Sequence, residues 1–347
     1  METNNKTHIL VTGAAGFIGS QQVEVLLKRN YRVTGMDNIN SYYDTSLKYA
    51  RLAVAGIAQE TILDGNSVES ITHSAYRFIK LDLADRIGVE HLFEEGKFDI
   101  VVNLAGQAGV RYSIENPYAY VESNVLGFLN VLEACRHMGV KHLLYASSSS
   151  IYGMGDHVPY REDTPTDHPV SLYAATKKSD ELMAYAYSKL YGIPVTGLRL
   201  FTVYGPWGRP DMAPYLFMKS VLDENPIKVF NHGNLSRDFT YIDDIINGIL
   251  LLIEHPSEES IPARIYNIGH ASPVNLLDFI STIERVTGRK AVMQMEDMQP
   301  GDVYCTCADV SHLQHDFGYH PEVSIEEGIK HFYDWFRKYH HLKVCHV

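Results

Sequence analysis

The sequence predicts an α/β protein: a doubly wound parallel sheet followed by a smaller α/β lobe. Three observations carry this. From His8 to Phe201, short apolar runs alternate with runs of helical period, the pattern of parallel strands joined by crossover helices. A glycine-rich turn, Gly13-Ala-Ala-Gly16-Phe17-Ile18-Gly19, lies between the first strand and the first helix. The regularity ends after Phe201, where Tyr204-Gly-Pro-Trp-Gly-Arg-Pro210 gathers chain breakers.

Taken in order, His8–Thr12 reads as a strand, the segment through Val23, Leu26 and Leu27 as a helix, and Tyr31–Asp37 as the second strand. Strand, glycine turn, helix and strand ending in an acid make a Rossmann-type mononucleotide unit. Ser46–Ala55 has helical character. Gln59–Ser74 is polar and turn-rich and reads as an insertion or mobile loop. Strands are expected at Tyr76–Leu83, Asp99–Leu104, His142–Ser147 and Pro194–Phe201. Helices are expected at Arg86–Glu95, Pro117–Met138 as one long element, and Leu172–Leu190. Residues 1–203, with 238–267 returning to them, form the expected first lobe; 204–237 and 268–347 form the second.

The 347 residues suffice for two lobes with sizeable cores. Hydrophobic content of 45% and charged content of 21% fit a soluble globular chain. The net charge of −12 argues against nucleic acid or an anionic membrane as partner. Four cysteines, Cys135, Cys305, Cys307 and Cys345, make no disulfide framework; Cys305 and Cys307 read as packing residues on one strand face. His340, His341, Cys345 and His346 offer metal-binding side chains, but a frayed polar terminus accounts for them, and no metal is expected. Met1–Thr7 lacks a signal-peptide pattern, and the apolar run Ile245–Ile253 is too short to span a bilayer. A cytoplasmic location is expected.

In the glycine turn, small residues allow the bend and let backbone approach a pyrophosphate at the helix N-terminus. The spacing is G-x-x-G-x-x-G. Asp37 closes the second strand, where a carboxylate accepts both adenosine ribose hydroxyls and repels a 2′-phosphate, so NAD is expected over NADP. Asp82 and Leu83 close the third strand and are placed to meet the adenine; Asp82 could equally cap the helix that follows.

Leu172-Tyr173-Ala-Ala-Thr-Lys177 opens a helix and puts Tyr173 and Lys177 on one face. A free tyrosine, with a pKa of about 10, is a poor base near neutrality. An ammonium beside it favours the phenolate. Beside a hydride acceptor, such a pair is a general base for a sugar hydroxyl; alone, it is an ordinary helix with one Tyr and one surface Lys.

The pieces Thr12–Gly19, Asn103-Leu-Ala-Gly106, Ser147-Ser-Ser-Ser150-Ile-Tyr-Gly153, Tyr173-x-x-x-Lys177, Arg237–Asp244 and Pro300-Gly-Asp302 run in one order over residues 8 to about 310. Jointly they resemble the extended short-chain dehydrogenase/reductases of the nucleotide-sugar epimerase group. Ala105–Pro117 and Gly205–Ala213 resemble UDP-glucuronate 4-epimerases most. The resemblance implies NAD that is reduced and reoxidised within a turnover, with Gly13, Gly16, Phe17, Ile18, Gly19, Asp37, Asn38, Asp82, Leu83, Leu104, Ala105 and Lys177 around it. It implies Tyr173 as base and acid, Lys177 on the nicotinamide ribose, and Ser148, with Ser149 and Ser150, at the sugar 4-oxygen. It also implies a homodimer formed through the helices near 117–138 and 172–190, whose faces carry Tyr118, Tyr120, Tyr185 and Tyr187; packing within one subunit explains the same pattern.

Dehydrating and decarboxylating relatives carry a carboxylate in the segment that here reads Ser148-Ser149-Ser150. Without one, reversible C4 epimerisation remains. A 4-keto-uronate loses CO₂ if its carboxylate aligns with the carbonyl, so the carboxylate must be held. Arg209 is the candidate, since a guanidinium grips a carboxylate bidentately, with Thr202 and Arg111 as further candidates. Arg237 is expected at the pyrophosphate and Asp302 at the uridine ribose; Gln299 stands where many relatives carry an arginine. Conversion of UDP-glucuronate to UDP-galacturonate is therefore expected. The alternatives are a UDP-glucose or UDP-N-acetylhexosamine 4-epimerase, a UDP-glucuronate decarboxylase, or an NAD-sensing regulator on the same fold.

Overall fold

The computed structural model describes residues 6–154, 158–299 and 301–342. Its strands are β1 His8–Thr12, β2 Arg32–Asp37, β3 Ser67–Glu69, β4 Tyr76–Lys80, β5 Ile100–Asn103, β6 His142–Ser148, β7 Val195–Leu200, β8 Thr202–Tyr204, β9 Pro226–Phe230, β10 Ser236–Arg237, β11 Phe239–Tyr241, β12 Ala263–Ile268, β13 Val274–Asn275 and β14 Val292–Glu296. Its helices are α1 Phe17–Lys28, α2 Ser46–Val54, α3 Arg86–Gly96, α4 Tyr112–Glu115, α5 Pro117–Tyr120, α6 Gly127–Met138, α7 Leu172–Tyr191, α8 Ala213–Leu222, α9 Ile242–Ile253, α10 Leu276–Thr287, α11 Ser311–Phe317 and α12 Ile325–Tyr339.

The large sheet has the order β12-β7-β6-β5-β1-β2-β4-β3. β4, β2, β1, β5 and β6 pair in parallel. β1 lies at the centre and all five of its residues are buried, as expected for a strand covered on both faces. Leu10, Val101, Leu143 and Val195 from four strands pack with Val89, Leu92 and Phe93 of α3 and Phe128, Val131 and Leu132 of α6. The polar segment 59–74 carries a short strand of its own. Ser67–Glu69 pairs antiparallel with β4 at the sheet edge. Ser70 Oγ donates to Ala55 O at 2.7 Å and accepts from Thr72 N and His73 N, which ties the segment down. A three-residue strand among polar residues gives too short a pattern to show in a sequence.

The expected helix over 117–138 is helical throughout but not uniform. Between α5 and α6 the chain makes a wide π-helical turn over Val121–Leu126. Its Asn124 is buried and turns inward to bond backbone and side chains of other segments. α7 runs as expected from Ser171, whose hydroxyl accepts from Ala174 N at 3.1 Å, to a left-handed Gly192.

The chain divides into two compact units, 1–153 with 165–199 and 248–266, and 154–164 with 200–247 and 267–347. The units depart from the expected boundaries over 154–164, 200–203 and 238–247, and at residue 267. Residues 158–164 join the second unit because Tyr160 exchanges backbone bonds with Cys307 and Asp309, at 2.8 and 2.9 Å. Residues 238–247 join it because β11 pairs in parallel with β8. The Asp238 carboxylate also accepts from His270 N, Ala271 N and Ala308 N. In this unit β9 pairs with β14 and β10 with β13. Phe239 stacks on Phe279 at 4.2 Å, with Tyr204 edge-on to both.

No helix among the described residues is long and apolar enough to cross a membrane. Among those residues no cluster of metal-ligating side chains occurs. Cys135, Cys305 and Cys307 are free thiols. Cys345 and His346 lie outside the described residues, as do Met1–Asn5 and Pro300; His340 Nε2 sits 2.7 Å from the Tyr215 hydroxyl.

Candidate active site

The glycine turn is built for close approach. Gly13 has φ +71°, and a Cβ there would lie 2.8 Å from Ala105 N and 2.9 Å from the Leu104 carbonyl carbon. The ends of β1 and β5 therefore touch through backbone, bringing Leu104 and Ala105 to the turn. Thr12 Oγ1 locks this contact, donating to Asn103 Oδ1 at 2.7 Å and accepting from Ala105 N at 3.1 Å. A Cβ at Gly19 would stand 2.1 Å from Gly13 O. Gly16 caps α1 without a side-chain hydrogen bond, so the first-turn amides of Phe17, Ile18 and Gly19 have no capping side chain over them. Such an end is an anion site.

Asp37 is buried at the end of β2. Its carboxylate accepts from Ala15 N at 3.1 Å and Ile39 N at 2.8 Å, and Lys48 Nζ stands 3.8 Å away. Arg51 of α2 donates to Ala15 O at 3.0 Å and to the Tyr43 hydroxyl at 2.8 Å. Two buried cations thus brace the turn from behind, a role the sequence did not reveal, although paired cations on the buried face of a short helix were the available sign. Asn38 donates to Asp82 at 2.8 Å. Asp82 accepts from Ala84 N, and it is Asp85 that caps α3 through Gly88 N. Leu83 is buried, its carbonyl bonded by Asn130 Nδ2 at 2.7 Å.

Tyr173 and Lys177 lie on the first two turns of α7, which packs against β6 and the turn Ser149–Tyr152. Tyr173 meets Tyr120 edge-on, centroids 6.0 Å apart. Lys177 is buried and its Nζ lies 3.1 Å from Asp180 Oδ2. Burial pushes the Asp180 carboxyl up to about 6, against the pull of Lys177. Asn124 bonds Gln107 N and O and Thr176 Oγ1, which fixes the loop after β5 to α7. Its sign in the sequence was an amide inside an apolar helical run.

Of the serines, Ser148 and Ser150 share a hydroxyl bond of 2.7 Å, and Ser149 opens the adjoining turn. Ser147 is committed elsewhere, donating to buried Glu181 at 2.7 Å. Arg111 is exposed at the start of α4.

The remaining candidates belong to the second unit. Arg237 Nη2 pairs with Asp302 Oδ1 at 3.1 Å. Thr202 begins β8 beside Phe239. Arg209 is gripped by Asp211 two residues on, Nε to Oδ1 at 3.0 Å and Nη2 to Oδ2 at 2.5 Å. It sits in a turn where Trp207, with φ +65°, packs against Trp335 and Tyr339 of α12.

Residues 9–269 match the family described as "NAD dependent epimerase/dehydratase family". The chain belongs to this family. It is 45% identical to protein CapI of Staphylococcus aureus, over 96% of this chain and 99% of that one. It is 42% identical to UDP-glucuronate 4-epimerase 2 of Arabidopsis thaliana, over 98% of this chain and 78% of that one. Among solved structures it resembles UDP-glucuronic acid 4-epimerase of Bacillus cereus in complex with UDP-glucuronic acid and NAD, at a TM-score of 0.86 and 34% identity, covering 96% of this chain and all of that one. As a member of this epimerase family the protein is an NAD-dependent enzyme. Its own residues fit the cofactor: a glycine cradle that a Cβ would fill, an α1 end without a capping side chain, and a buried carboxylate at the end of β2.

Proposed function

We propose that this enzyme interconverts UDP-glucuronate and UDP-galacturonate by inverting C4 through a 4-keto sugar. The observation that carries this is Tyr173 one turn ahead of a buried, ion-paired Lys177 on a helix packed against the Ser148–Ser150 turn. The glycine turn and Asp37 would hold NAD, which would supply the acceptor and donor for the C4 hydride. Tyr173 removes the proton of the 4-hydroxyl and later returns one to the 4-oxygen. Lys177 favours the phenolate. The Ser148–Ser150 pair supplies a hydroxyl donor to the 4-oxygen, steadying charge that develops there. No carboxylate lies within the serine run, so this segment brings no general acid for elimination.

Arg237 and Asp302 are proposed for the nucleotide, and Arg209, Thr202 and Arg111 for the uronate carboxylate. Holding that carboxylate out of line with the 4-keto group suppresses loss of CO₂. A homodimer is proposed through α5, the turn after it and α7, where Tyr118, Val121, Leu182 and Tyr185 are exposed large apolar residues; a contiguous exposed apolar face marks an interaction site. Tyr120 is instead buried, and Tyr187 bonds Glu133 at 2.7 Å. A cytoplasmic site of action is proposed with it.

The test is incubation with UDP-glucuronate in deuterated water, with the products separated by chromatography. UDP-galacturonate without deuterium at C4 is expected. Released CO₂ and a UDP-pentose, or label at C4, would refute the reading. Tyr173→Phe should retain NAD while losing turnover at least ~100-fold.

A further inference from the structure

Lys177 carries a partner that nothing in the proposed proton transfer requires. Asp180, three residues on along α7, is 2% exposed, and Lys177 is 5% exposed. Nζ lies 3.1 Å from Oδ2. The loop after β5 also approaches this ammonium: a Cβ at Gly106 would be 3.4 Å from Lys177 Nζ and 3.0 Å from Asn124 Oδ1. The ammonium thus has both that loop and the carboxylate as near neighbours. Asp180 Oδ1 has no hydrogen-bond partner among the described residues. A carboxylate kept in the interior with one oxygen unsatisfied costs stability.

The other charged and titratable groups around Asp180 are already balanced. Glu181, next to it on α7, is matched by a bidentate bond from Arg199 of β7 and by Lys178 at 3.7 Å. Tyr145 of β6 is held far above the ordinary tyrosine range, by burial first and then by Glu181 and Asp180. Asp180 is left facing Lys177.

We propose that Asp180 is a positioning residue for the reaction: it fixes the direction of Lys177 Nζ beside the Gly106 loop and, as counter-charge to that ammonium, sets the pH at which Tyr173 becomes a base. The proposal rests on Tyr173 and Lys177 acting as the base pair. An ionised Asp180 offsets part of the field that draws the proton off Tyr173. Because burial pushes its carboxyl up to about 6, the offset is present above that pH and withdrawn below it. As the medium acidifies, Asp180 becomes neutral, the ammonium acts unopposed, and the phenolate is favoured over a wider range.

The experiment follows phenolate absorbance at 295 nm across pH in the NAD-loaded protein, subtracting Tyr173→Phe in the same background. The acid limb of kcat/KM for UDP-glucuronate is recorded beside it. In Asp180→Asn the midpoint should fall by roughly half to one pH unit. Asp180→Ser, which leaves space for water, guards against a misfolded amide variant and should move the midpoint the same way. Unshifted midpoints in both variants, with the 295 nm step still absent from Tyr173→Phe, overturn the role of Asp180 and leave the Tyr/Lys pair standing. A step that survives in Tyr173→Phe overturns both.

Discussion

Glu181 and Arg199 form a two-pronged ion pair in the interior, Nε to Oε1 at 2.9 Å and Nη2 to Oε2 at 3.0 Å, with both side chains 3% exposed. Ser147 donates to the same carboxylate, and Arg199 Nη1 donates to the Tyr152 hydroxyl at 2.9 Å. Ser147 and Tyr152 flank Ser148–Ser150, so the ion pair grips both ends of the segment whose hydroxyls are proposed to meet the sugar. Burial works against the Arg199 charge, and the Glu181 carboxylate more than restores it, holding the guanidinium above its ordinary value. Removing one partner of such a pair strands the other. Glu181→Gln should cost about 3–5 kcal/mol in urea unfolding. Ser147→Ala, which removes one bond and leaves the pair intact, should cost only about 1 kcal/mol.

Two buried histidines set an acid limit to stability. His8 bridges Gly96 O and Thr34 Oγ1, each at 2.9 Å, and His142 lies 2.9 Å from Thr196 Oγ1. Burial lowers each to about 4 from an ordinary 6.5, with nearby arginines adding to it. The unfolded chain therefore takes up protons near pH 6.5 that the folded chain refuses until about pH 4. Stability is full above 6.5 and falls as pH drops through that window, by about 2 kcal/mol for each histidine at pH 5. Asp180 works the other way over about pH 4–6, since its raised carboxyl regains a proton in the folded state first. His142→Gln should flatten the dependence of Tm between pH 7 and 5; an unchanged slope would count against the assignment.

The sheet and the cofactor turn were legible because both are local. β1, β2 and α7 were expected within a residue or two of where they stand, and α1 follows the glycine turn as expected, since apolar period and glycine spacing are written over short stretches. What was hidden depends on partners far along the chain. Asn124 read as one more residue of a long helix; only its bonds to Gln107 and Thr176, 17 and 52 residues away, explain the wide turn. Arg199 stood as a lone charge in an apolar strand, and its meaning waits on Glu181. Asp238 read as part of a motif. The fold makes it a hub, buried, accepting from Thr240, His270, Ala271 and Ala308.

Asp37 is expected to choose the cofactor. Its carboxylate holds the turn through Ala15 N and stands beside Lys48. Asp37→Ala removes the proposed acceptor for ribose hydroxyls and the charge expected to oppose a 2′-phosphate, while Lys48 remains. Calorimetric titration should show NAD bound at least ~10-fold more weakly. The NADP-to-NAD affinity ratio should rise towards one. A variant that still rejects NADP as strongly as the wild type would show that selectivity lies elsewhere.

Arg209 poses the sharpest question about the substrate, because Asp211 already occupies an edge of its guanidinium. A uronate carboxylate arriving at this group meets an arginine whose charge is partly answered. If Arg209 binds that carboxylate, Asp211 is its competitor as well as its support. Arg209→Ala should then lower kcat/KM for UDP-glucuronate at least ~10-fold, a loss appropriate to a charge-assisted bidentate contact, and leave UDP-glucose turnover within a factor of about two. Asp211→Asn keeps an acceptor beside Nε but removes the negative charge. It should lower KM for UDP-glucuronate by roughly threefold with kcat unchanged and leave KM for UDP-glucose alone, the signature of altered ground-state binding. Equal effects on both sugars in either variant would move carboxylate recognition away from Arg209, to Thr202 or Arg111.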